Sequence, residues 1–202
     1  IAIIGSGFSS LSAACYLAKN GHKVTVFEKN GELGGRARQF KAKGFTFDMG
    51  PSWYWMPDVF EKFFNDFNKS TKDFYEIEKL NPAYRVYFGL DDYIDIEDSI
   101  EKISIKFEKI EKGSGKKLIR FLEKAKENYG IGVTDMLYKM PGLSPLELVS
   151  IKTVKKIRYF LSNIRKDVHK DFKNPKLRSV LEFPVLFLGA KASNTPAFYN
   201  FM

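Results

Sequence analysis

Apolar positions in the first 28 residues follow the period of a strand, then of a helix, then of a strand again. The apolar run 1–4 ends at Gly5 and predicts a buried parallel strand that leads into a tight turn. Apolar residues recur at helical spacing over 11–18, and residues 23–27 predict a second strand. Residues 1–28 are therefore expected to form a strand–helix–strand unit.

The remainder of the chain changes near Ser99 from short extended segments to longer helical ones. We expect short strands, one amphipathic helix and a hairpin before this point, and mostly helices after it, with a break over 130–145. The predicted extended segments are 39–43, 45–48, 85–88 and 93–96, and the predicted helical segments are 57–67, 100–110, 118–125 and 146–164. We divide the chain into a nucleotide-binding part, 1–98, and a mainly helical part, 99–202, that is inserted into it or packs beside it.

Composition narrows the class of protein. With 202 residues, 44% of them hydrophobic, the chain can bury a sizeable core and is not a disordered segment. The net charge of +9 is concentrated over 152–178, but no nucleic-acid motif accompanies it, so we expect no nucleic-acid partner. The single Cys15 cannot form an intrachain disulfide and fits a reduced, cytoplasmic setting. No apolar run reaches the roughly 18 residues that span a bilayer, so any membrane contact is expected to be peripheral.

A glycine-rich turn follows the first predicted strand directly. Its sequence is Gly5-Ser6-Gly7-Phe8-Ser9-Ser10, which departs from the dinucleotide-binding pattern only at Ser10, where a glycine is usual. Gly5 would permit the tight turn, and Gly7 would let a pyrophosphate approach the amides at the helix N-terminus. Because Ser10 is small, packing of the helix on the strand should survive.

An acidic residue ends the second predicted strand. Glu28, followed by Lys29, lies where a carboxylate would accept hydrogen bonds from the ribose hydroxyls of a dinucleotide. An acidic side chain here disfavours the 2′-phosphate of NADP. The competing interpretation is a solvated carboxylate at a strand end.

A second glycine turn separates FAD from NAD. Gly34-Gly35-Arg36 begins six residues after Glu28 and can bring backbone amides and a guanidinium to the same pyrophosphate. A simple NAD dehydrogenase has no need of this second anion-binding turn. An ordinary glycine turn with a surface arginine is the other interpretation.

These motifs resemble the N-terminal signature of a large flavoprotein group that contains amine oxidases, protoporphyrinogen oxidase and carotenoid desaturases. The segment 44–52, which includes Gly50, Pro51 and Ser52, is similar to the one that approaches the flavin in carotenoid desaturases of the bacterial phytoene desaturase type, and 54–57, 82–87 and 183–190 continue the likeness. The resemblance implies an α/β, Rossmann-like FAD-binding fold of the glutathione reductase and amine oxidase type, with a mainly helical inserted substrate or lid region. It also implies FAD as the cofactor, with Gly5 to Ser10, Glu28, Lys29, Gly34 to Arg36 and Gly50 to Ser52 at its site.

The same resemblance implies a reaction and a substrate. Members of this family transfer a hydride from a carbon–carbon single bond of a C40 polyene such as phytoene to FAD, and they act as peripheral membrane enzymes. They are more than twice as long as this chain, which opens without an initiator Met and stops inside an apolar stretch. We therefore expect an N-terminal fragment that lacks the part completing the flavin site and the substrate tunnel.

An apolar polyene requires an apolar lining. Side chains of suitable chemistry, for which ordinary core packing is the competing interpretation, are Trp53, Trp55, Phe183, Leu186, Phe187, Phe198 and Tyr199. We identify no catalytic acid, base or nucleophile and no metal site, and we make no prediction of the oligomeric state. The basic amphipathic stretch 151–161 would suit anionic lipid or a solvated helix face equally.

Two other functions share part of this pattern. An amine oxidase or protoporphyrinogen oxidase would also use Gly5, Gly7, Glu28 and Arg36, but the segments 47–57 and 183–190 disfavour it. A flavin-less, prenyl-binding escort protein has the same fold, and retention of Glu28 with Gly35 and Arg36 disfavours that function.

Overall fold

The computed structural model describes residues 1–50, 53–138, 143–144, 153–154 and 156–201. The chain divides into two compact units, Ile1–Ile77 and Glu78–Met202, called unit 1 and unit 2 below. The boundary predicted between residues 98 and 99 divides a nucleotide-binding part from a mainly helical part, and this functional division stays a prediction.

Unit 1 opens with the predicted strand–helix–strand unit. Strand β1 (Ala2–Ile4) pairs in parallel with β2 (Thr25–Phe27), and α1 (Phe8–Lys19) connects them. A parallel pair requires a crossover connection, and a single helix of this length provides it. The prediction for residues 1–28 is confirmed.

Two further elements of unit 1 follow their sequence patterns. Strands β3 (Gln39–Ala42) and β4 (Phe45–Asp48) form an antiparallel hairpin, and α2 (Pro57–Asn65) carries an aromatic face. Tyr16 of α1 contacts the rings of Phe63 and Phe67, with centroids 5.8 and 5.2 Å apart. The two helices of unit 1 therefore pack through aromatic edges.

Unit 2 combines one hairpin with helices. Its elements are β5 (Tyr84–Tyr87), β6 (Tyr93–Ile96), α3 (Ile100–Ile110), α4 (Ser114–Tyr129), a π-helix (Gly130–Leu137), α5 (Ile157–Leu161), α6 (Ile164–Asp171) and α7 (Pro175–Glu182). The hairpin and the predominance of helices match the sequence pattern. Alternate residues of the hairpin, Val86, Ile94 and Ile96, face the core that the helices form.

That core is continuous and apolar. Phe107 of α3 meets Phe172 edge to face, with ring centroids 6.1 Å apart. Both rings are fully buried, together with Val168, Leu177 and Val185. Burial of this many large side chains makes hydrophobic packing the main stabilising contribution in unit 2.

Two helical predictions need correction. The expected break over 130–145 does not begin at Gly130, because the chain continues from α4 into the π-helix through residue 137. Within the π-helix, Gly132 leaves room for the ring of Phe198, since a Cβ there would lie 3.3 Å from that ring. The segment 146–164 lies partly outside the described residues, and its described end is not one helix. Asn163 is extended and its Oδ1 accepts a hydrogen bond from the amide of Lys166, so it caps the next helix.

Candidate functional site

The first glycine turn joins β1 to α1 and leaves the helix N-terminus open. Gly5 has a φ of +91°, and its amide donates to the carbonyl of Phe27 at 2.7 Å, which ties the turn to β2. Among the described residues no side chain caps α1, and Gly7 takes the N-cap position. A Cβ on Gly7 would meet no atom within 4 Å. The unpaired amides of the first helical turn therefore face free space where an anion can approach.

The second glycine turn lies against the first. The Gly34 amide donates to the carbonyl of Ser6 at 3.0 Å, and Gly34 and Gly35 both have positive φ. A Cβ on Gly35 would lie 3.2 Å from the Cα of Gly7. A side chain here would crowd Gly7 and strain a φ of +60°, so glycine favours this approach, in which two turns 28 residues apart in sequence form one backbone surface.

A cleft of about 880 Å³ opens beside this surface. Gly50 lies close to the second turn, since a Cβ there would be 3.0 Å from the Cα of Ala37 and from the carbonyl oxygen of Arg36. The cleft brings together the first turn of α1, the second glycine turn and the end of the β3–β4 hairpin. Its lining residues are Gly7, Phe8, Ser9, Ser10, Gly34, Gly35, Arg36, Ala37, Arg38, Met49 and Gly50.

A smaller cleft of about 430 Å³ shares Gly7 and Gly35 with the larger one. It is lined by Ile4, Gly5, Ser6, Gly7, Phe27, Glu28, Lys29, Asn30 and Gly35. Ile4 and Phe27 are exposed apolar side chains and Glu28 supplies a carboxylate. The two clefts meet at the paired glycines, so together they suit a ligand with an anionic centre and a polar sugar on one side.

Four hydrogen bonds hold the carboxylate of Glu28. Oε2 accepts from the amide of Ser6 at 2.8 Å and from its Oγ at 2.7 Å. Oε1 accepts from the amide of Asn30 at 2.9 Å and from its Nδ2 at 2.7 Å. These donors, led by the Ser6 hydroxyl, lower the pKa of Glu28 from 4.5 to about 2. The group is therefore ionised at every physiological pH.

The structure brings most of the sequence-predicted site residues together. Gly5 to Ser10, Glu28, Lys29, Gly34 to Arg36 and Gly50 all line one of the two clefts. Pro51 and Ser52 lie outside the described residues. For every residue of the predicted site, a role in binding a cofactor stays a prediction.

Sequence reasoning missed six residues that line the clefts: Ile4, Phe27, Asn30, Ala37, Arg38 and Met49. Arg38 and Ala37 follow the second glycine turn directly, and a wider window around that motif would have included them. Asn30 could have been inferred from its position two residues after Glu28, because short amide side chains often hydrogen-bond to near neighbours.

The predicted substrate-lining side chains divide between the units and between two environments. In unit 1, Trp53 and Trp55 lie with ring centroids 6.3 Å apart and nearly parallel planes. In unit 2, Phe198 is buried and stacks on Phe160 at 4.4 Å, which is core packing. Leu186 and Phe187 are exposed. A contact with substrate stays a prediction for this set, which also includes Phe183 and Tyr199.

The donors and acceptors present fit a dinucleotide. Free amides at the start of α1 and the guanidinium of Arg36 suit a pyrophosphate, and an ionised, fixed Glu28 suits the hydroxyls of an unphosphorylated ribose. Within the described ranges, no group of three or more His, Cys, Asp or Glu side chains is placed to hold a metal ion. The described helices also include none with both the length and the apolar character needed to cross a membrane.

Comparisons with known proteins agree with a dinucleotide-binding, Rossmann-like fold. Residues 3–69 match the family described as NAD(P)-binding Rossmann-like domain. Two solved structures of putrescine oxidase, a variant and the wild type bound to putrescine, align with 99% of this chain at TM-scores of 0.59 and 0.55 and 16% identity. Each alignment covers 40% of the putrescine oxidase chain, and at this identity it shows the fold. The predicted Rossmann-like α/β fold of amine oxidase type is confirmed.

Sequence relatives specify the class further. The chain is 37% identical over 204 residues to a carotenoid 3,4-desaturase of Haloarcula japonica and 34% identical over 203 residues to a 4,4′-diapophytoene desaturase (4,4′-diaponeurosporene-forming) of Staphylococcus aureus. The matches include 100% and 99% of this chain, which spans about 40% of the length of these relatives. The chain is thus a relative of the carotenoid desaturases along its whole length, and the resemblance stated from its motifs is confirmed.

Proposed function

We propose that this chain binds FAD and serves in the desaturation of a carotenoid precursor. The observation that carries the proposal is the extent of the match to two desaturases, which runs through both units instead of stopping at the nucleotide-binding segment 3–69. The similarity to putrescine oxidase is less than half as high in sequence identity and is limited to the fold. An amine oxidase or an escort protein is therefore less well supported than a desaturase.

The chain's own residues would bind and orient the cofactor. Amides of the first turn of α1, together with Arg36, would hold the pyrophosphate where Gly7 and Gly35 leave space. Glu28 would accept hydrogen bonds from the adenosine ribose in the smaller cleft. When bound, FAD would accept a hydride from a carbon–carbon single bond of the polyene, a proton being lost as the double bond forms.

The substrate proposed is an apolar, phytoene-like polyene. It is supported by the names of the two relatives, which are both carotenoid desaturases, and by the apolar side chains of the half-buried Trp53 and Trp55 and of the exposed Leu186 and Phe187. The number of double bonds introduced follows from the product and is read directly in the experiment below.

The test is expression of the parent gene in cells that accumulate phytoene, with pigment and protein-bound flavin recorded together. We expect a coloured polyene and flavin absorbance that copurifies with the protein. Bound flavin with unchanged phytoene would refute the substrate and keep the cofactor, whereas a colourless protein without flavin would refute both. For a variant of the glycine turns such as Gly35→Ala, the matched control is Gly31→Ala, because a Cβ at position 31 meets no atom within 4 Å.

We also propose contact with an anionic lipid surface, where a polyene would be dissolved. Residues 151, 152 and 155 of the basic amphipathic stretch lie outside the described residues, so support comes from α5, where Leu161 is 83% exposed and Ile157 is exposed as well. Lys156 is less available for binding lipid, because its Nζ contacts Glu127 Oε2 at 2.5 Å. Arg158, in the same helix, is exposed.

The lipid proposal is tested with the double variant Arg158→Glu and Leu161→Glu and vesicles that contain phosphatidylglycerol. We expect the wild-type protein to sediment with the vesicles and the variant to stay in the supernatant. The double variant Lys102→Glu and Ile105→Glu makes an equal change of charge at the same spacing on α3, where Ile105 is also exposed, and serves as the control. Equal sedimentation of the double variant and the wild-type protein would overturn the proposal.

A further inference from the structure

We propose that Ser6 and Asn30 are positioning residues that form, before any nucleotide arrives, the ribose acceptor on Glu28. The inference rests on the proposed binding of FAD and adds to it the residues that fix the acceptor. They lie on opposite sides of the carboxylate, and each donates to one of its oxygens through its amide and its side chain.

The arrangement uses the full capacity of the carboxylate. An ionised carboxylate offers about four lone-pair positions, and the four bonds, all between 2.7 and 2.9 Å, occupy them. A free glutamate side chain at a strand end would instead sample several rotamers in water. Because Glu28 is already oriented, the nucleotide need not provide the free energy of ordering it.

The two kinds of donor have different roles when ribose binds. The amides of Ser6 and Asn30 belong to the backbone of the two loops, and they keep their positions. The exposed Asn30 carboxamide can rotate into solvent, so it can yield a lone pair to a ribose hydroxyl and restore the bond when the nucleotide leaves. The buried Ser6 hydroxyl keeps its bond to Glu28 and holds the acceptor in place in the free protein and in the complex.

Burial and charge support this assignment. Ser6 is 1% exposed, and a hydroxyl so deeply buried requires a partner, which Glu28 provides. Asn30 is exposed at the mouth of the smaller cleft, where its removal disturbs no packing. Besides Glu28, Lys29 is the one charged side chain among the residues that line this cleft.

The experiment measures binding of ADP-ribose, whose diphosphate is fully ionised from acid to neutral pH, by isothermal titration calorimetry. The variants are Asn30→Ala, Ser6→Ala and Asn30→Gln, which retains a carboxamide. Asn20→Ala is the matched control, because the Asn20 side chain also donates to a neighbour, the carbonyl of Tyr16 at 2.8 Å, but lies at the far end of α1. Far-UV circular dichroism verifies that each variant is folded.

We expect Asn30→Ala to weaken ADP-ribose about 3- to 10-fold at neutral pH, Asn30→Gln to restore part of the loss, and Asn20→Ala to bind as the wild-type protein does. The pH below which binding is lost should also rise in Asn30→Ala, since the carboxylate protonates more readily without this donor. Ser6→Ala should act in the same directions.

Each remaining outcome decides the matter. Wild-type affinity and an unchanged acid limit in both alanine variants would overturn the positioning role while leaving nucleotide binding intact. If the wild-type protein does not bind ADP-ribose, the proposed function fails and the positioning role fails with it. Should Ser6→Ala not fold, Asn30→Ala decides the question, because its side chain is exposed.

Discussion

The two units of this protein are stabilised by different means. Among the described residues of unit 2, seventeen hydrophobic ones are buried, with Phe107, Val168 and Phe172 nearly or fully inaccessible. Among the described residues of unit 1, the two that are buried are both polar, Ser6 and Thr71. Unit 2 therefore depends on hydrophobic burial, whereas unit 1 depends more on hydrogen bonds and on close backbone packing at glycines.

The two buried residues of unit 1 are used in the same way. Thr71 donates its amide and its Oγ1 to Glu61 Oε2, at 3.2 and 2.6 Å, just as Ser6 donates to Glu28. One pair lies in the smaller cleft, and the other joins the middle of α2 to the 3-10 helix Thr71–Asp73. The comparison shows that a carboxylate held by the amide and hydroxyl of one residue is a structural feature of this unit. The position of Glu28 beside Gly7 and Gly35 is what suits this carboxylate to binding a ligand.

The largest effect is expected from removing a ring of the unit 2 core. Phe172→Ala should lower the free energy of unfolding of unit 2 by about 3–5 kcal/mol, because Phe172 is fully buried against Phe107 and a cavity would remain. Urea unfolding followed by far-UV circular dichroism measures it. Phe74→Ala in unit 1, where the ring is 60% exposed, is the control and should cost far less.

A result that contradicts the expected effect of Phe172→Ala would also be informative. Both tryptophans of the chain, Trp53 and Trp55, lie in unit 1, so their fluorescence reports on that unit. If the fluorescence transition moved as far as the dichroism transition in Phe172→Ala, the two units would unfold together, and the contrast in their stabilisation would apply to one cooperative structure.

The second effect concerns the contact between the glycine turns. Gly35→Ala should destabilise unit 1 by roughly 1–2 kcal/mol, because the residue has a φ of +60° and its Cβ would lie 3.2 Å from the Cα of Gly7. It should also weaken ADP-ribose about 10-fold or more, since the turns would separate. Tryptophan fluorescence and calorimetry measure the two consequences. Loss of stability equal to that of Gly31→Ala would show that the turns are not in close contact.

The sequence predicted elements formed by neighbouring residues and much of the nucleotide site. The strand–helix–strand unit and the β5–β6 hairpin were predicted because their signals, periodicity and turn residues, lie within short windows. The two glycine turns were recognised for the same reason. Their contact through Gly7 and Gly35 was not, since no local pattern states which distant glycine a turn will touch.

The features that the sequence did not predict have a related cause. The break at Asn163 depends on a cap, a single side chain that overrides helical periodicity. Within the π-helix, Gly132 faces the rings of Phe198 and Phe201, which are distant in the sequence. Likewise, the role of Asn30 becomes visible only when Glu28 is seen to accept from both sides. Long-range contacts decide these positions, and periodicity does not report them.

A third prediction uses pH to test how far the hydrogen bonds to Glu28 stabilise unit 1. Glu28 has a folded pKa of about 2 against an ordinary 4.5, so its bonds stabilise unit 1 fully above about pH 4.5, and this contribution is lost as the pH falls toward 2. Glu28→Gln should therefore differ most from the wild-type protein at neutral pH and converge with it in acid, as followed by tryptophan fluorescence in urea.

The control for this prediction is the second pair. Hydrogen bonds from Thr71 lower the pKa of Glu61 as well, so Glu61→Gln should show the same direction of pH dependence. It should leave ADP-ribose binding unchanged, whereas Glu28→Gln should weaken it. A gap between Glu28→Gln and the wild-type protein that widens in acid would mean that the bonds to Glu28 do not stabilise the fold.

The smallest effect is expected from an ion pair that joins the two strands of the unit 2 hairpin. Arg85 Nε donates to Asp95 Oδ1 at 2.6 Å across β5 and β6, and the guanidinium lies 3.9 Å from the ring centroid of Tyr93. Both charges are solvated in the unfolded chain and remain in contact with solvent here, which screens the pair and limits the net gain. Arg85→Met, which keeps an unbranched chain over the ring, should change the unfolding of unit 2 by a small fraction of the Phe172→Ala effect. A double-mutant cycle with Asp95→Asn measures the coupling, and a value that rivals the loss from Phe172→Ala would mean that electrostatics, and not apolar burial, stabilises the hairpin on its core.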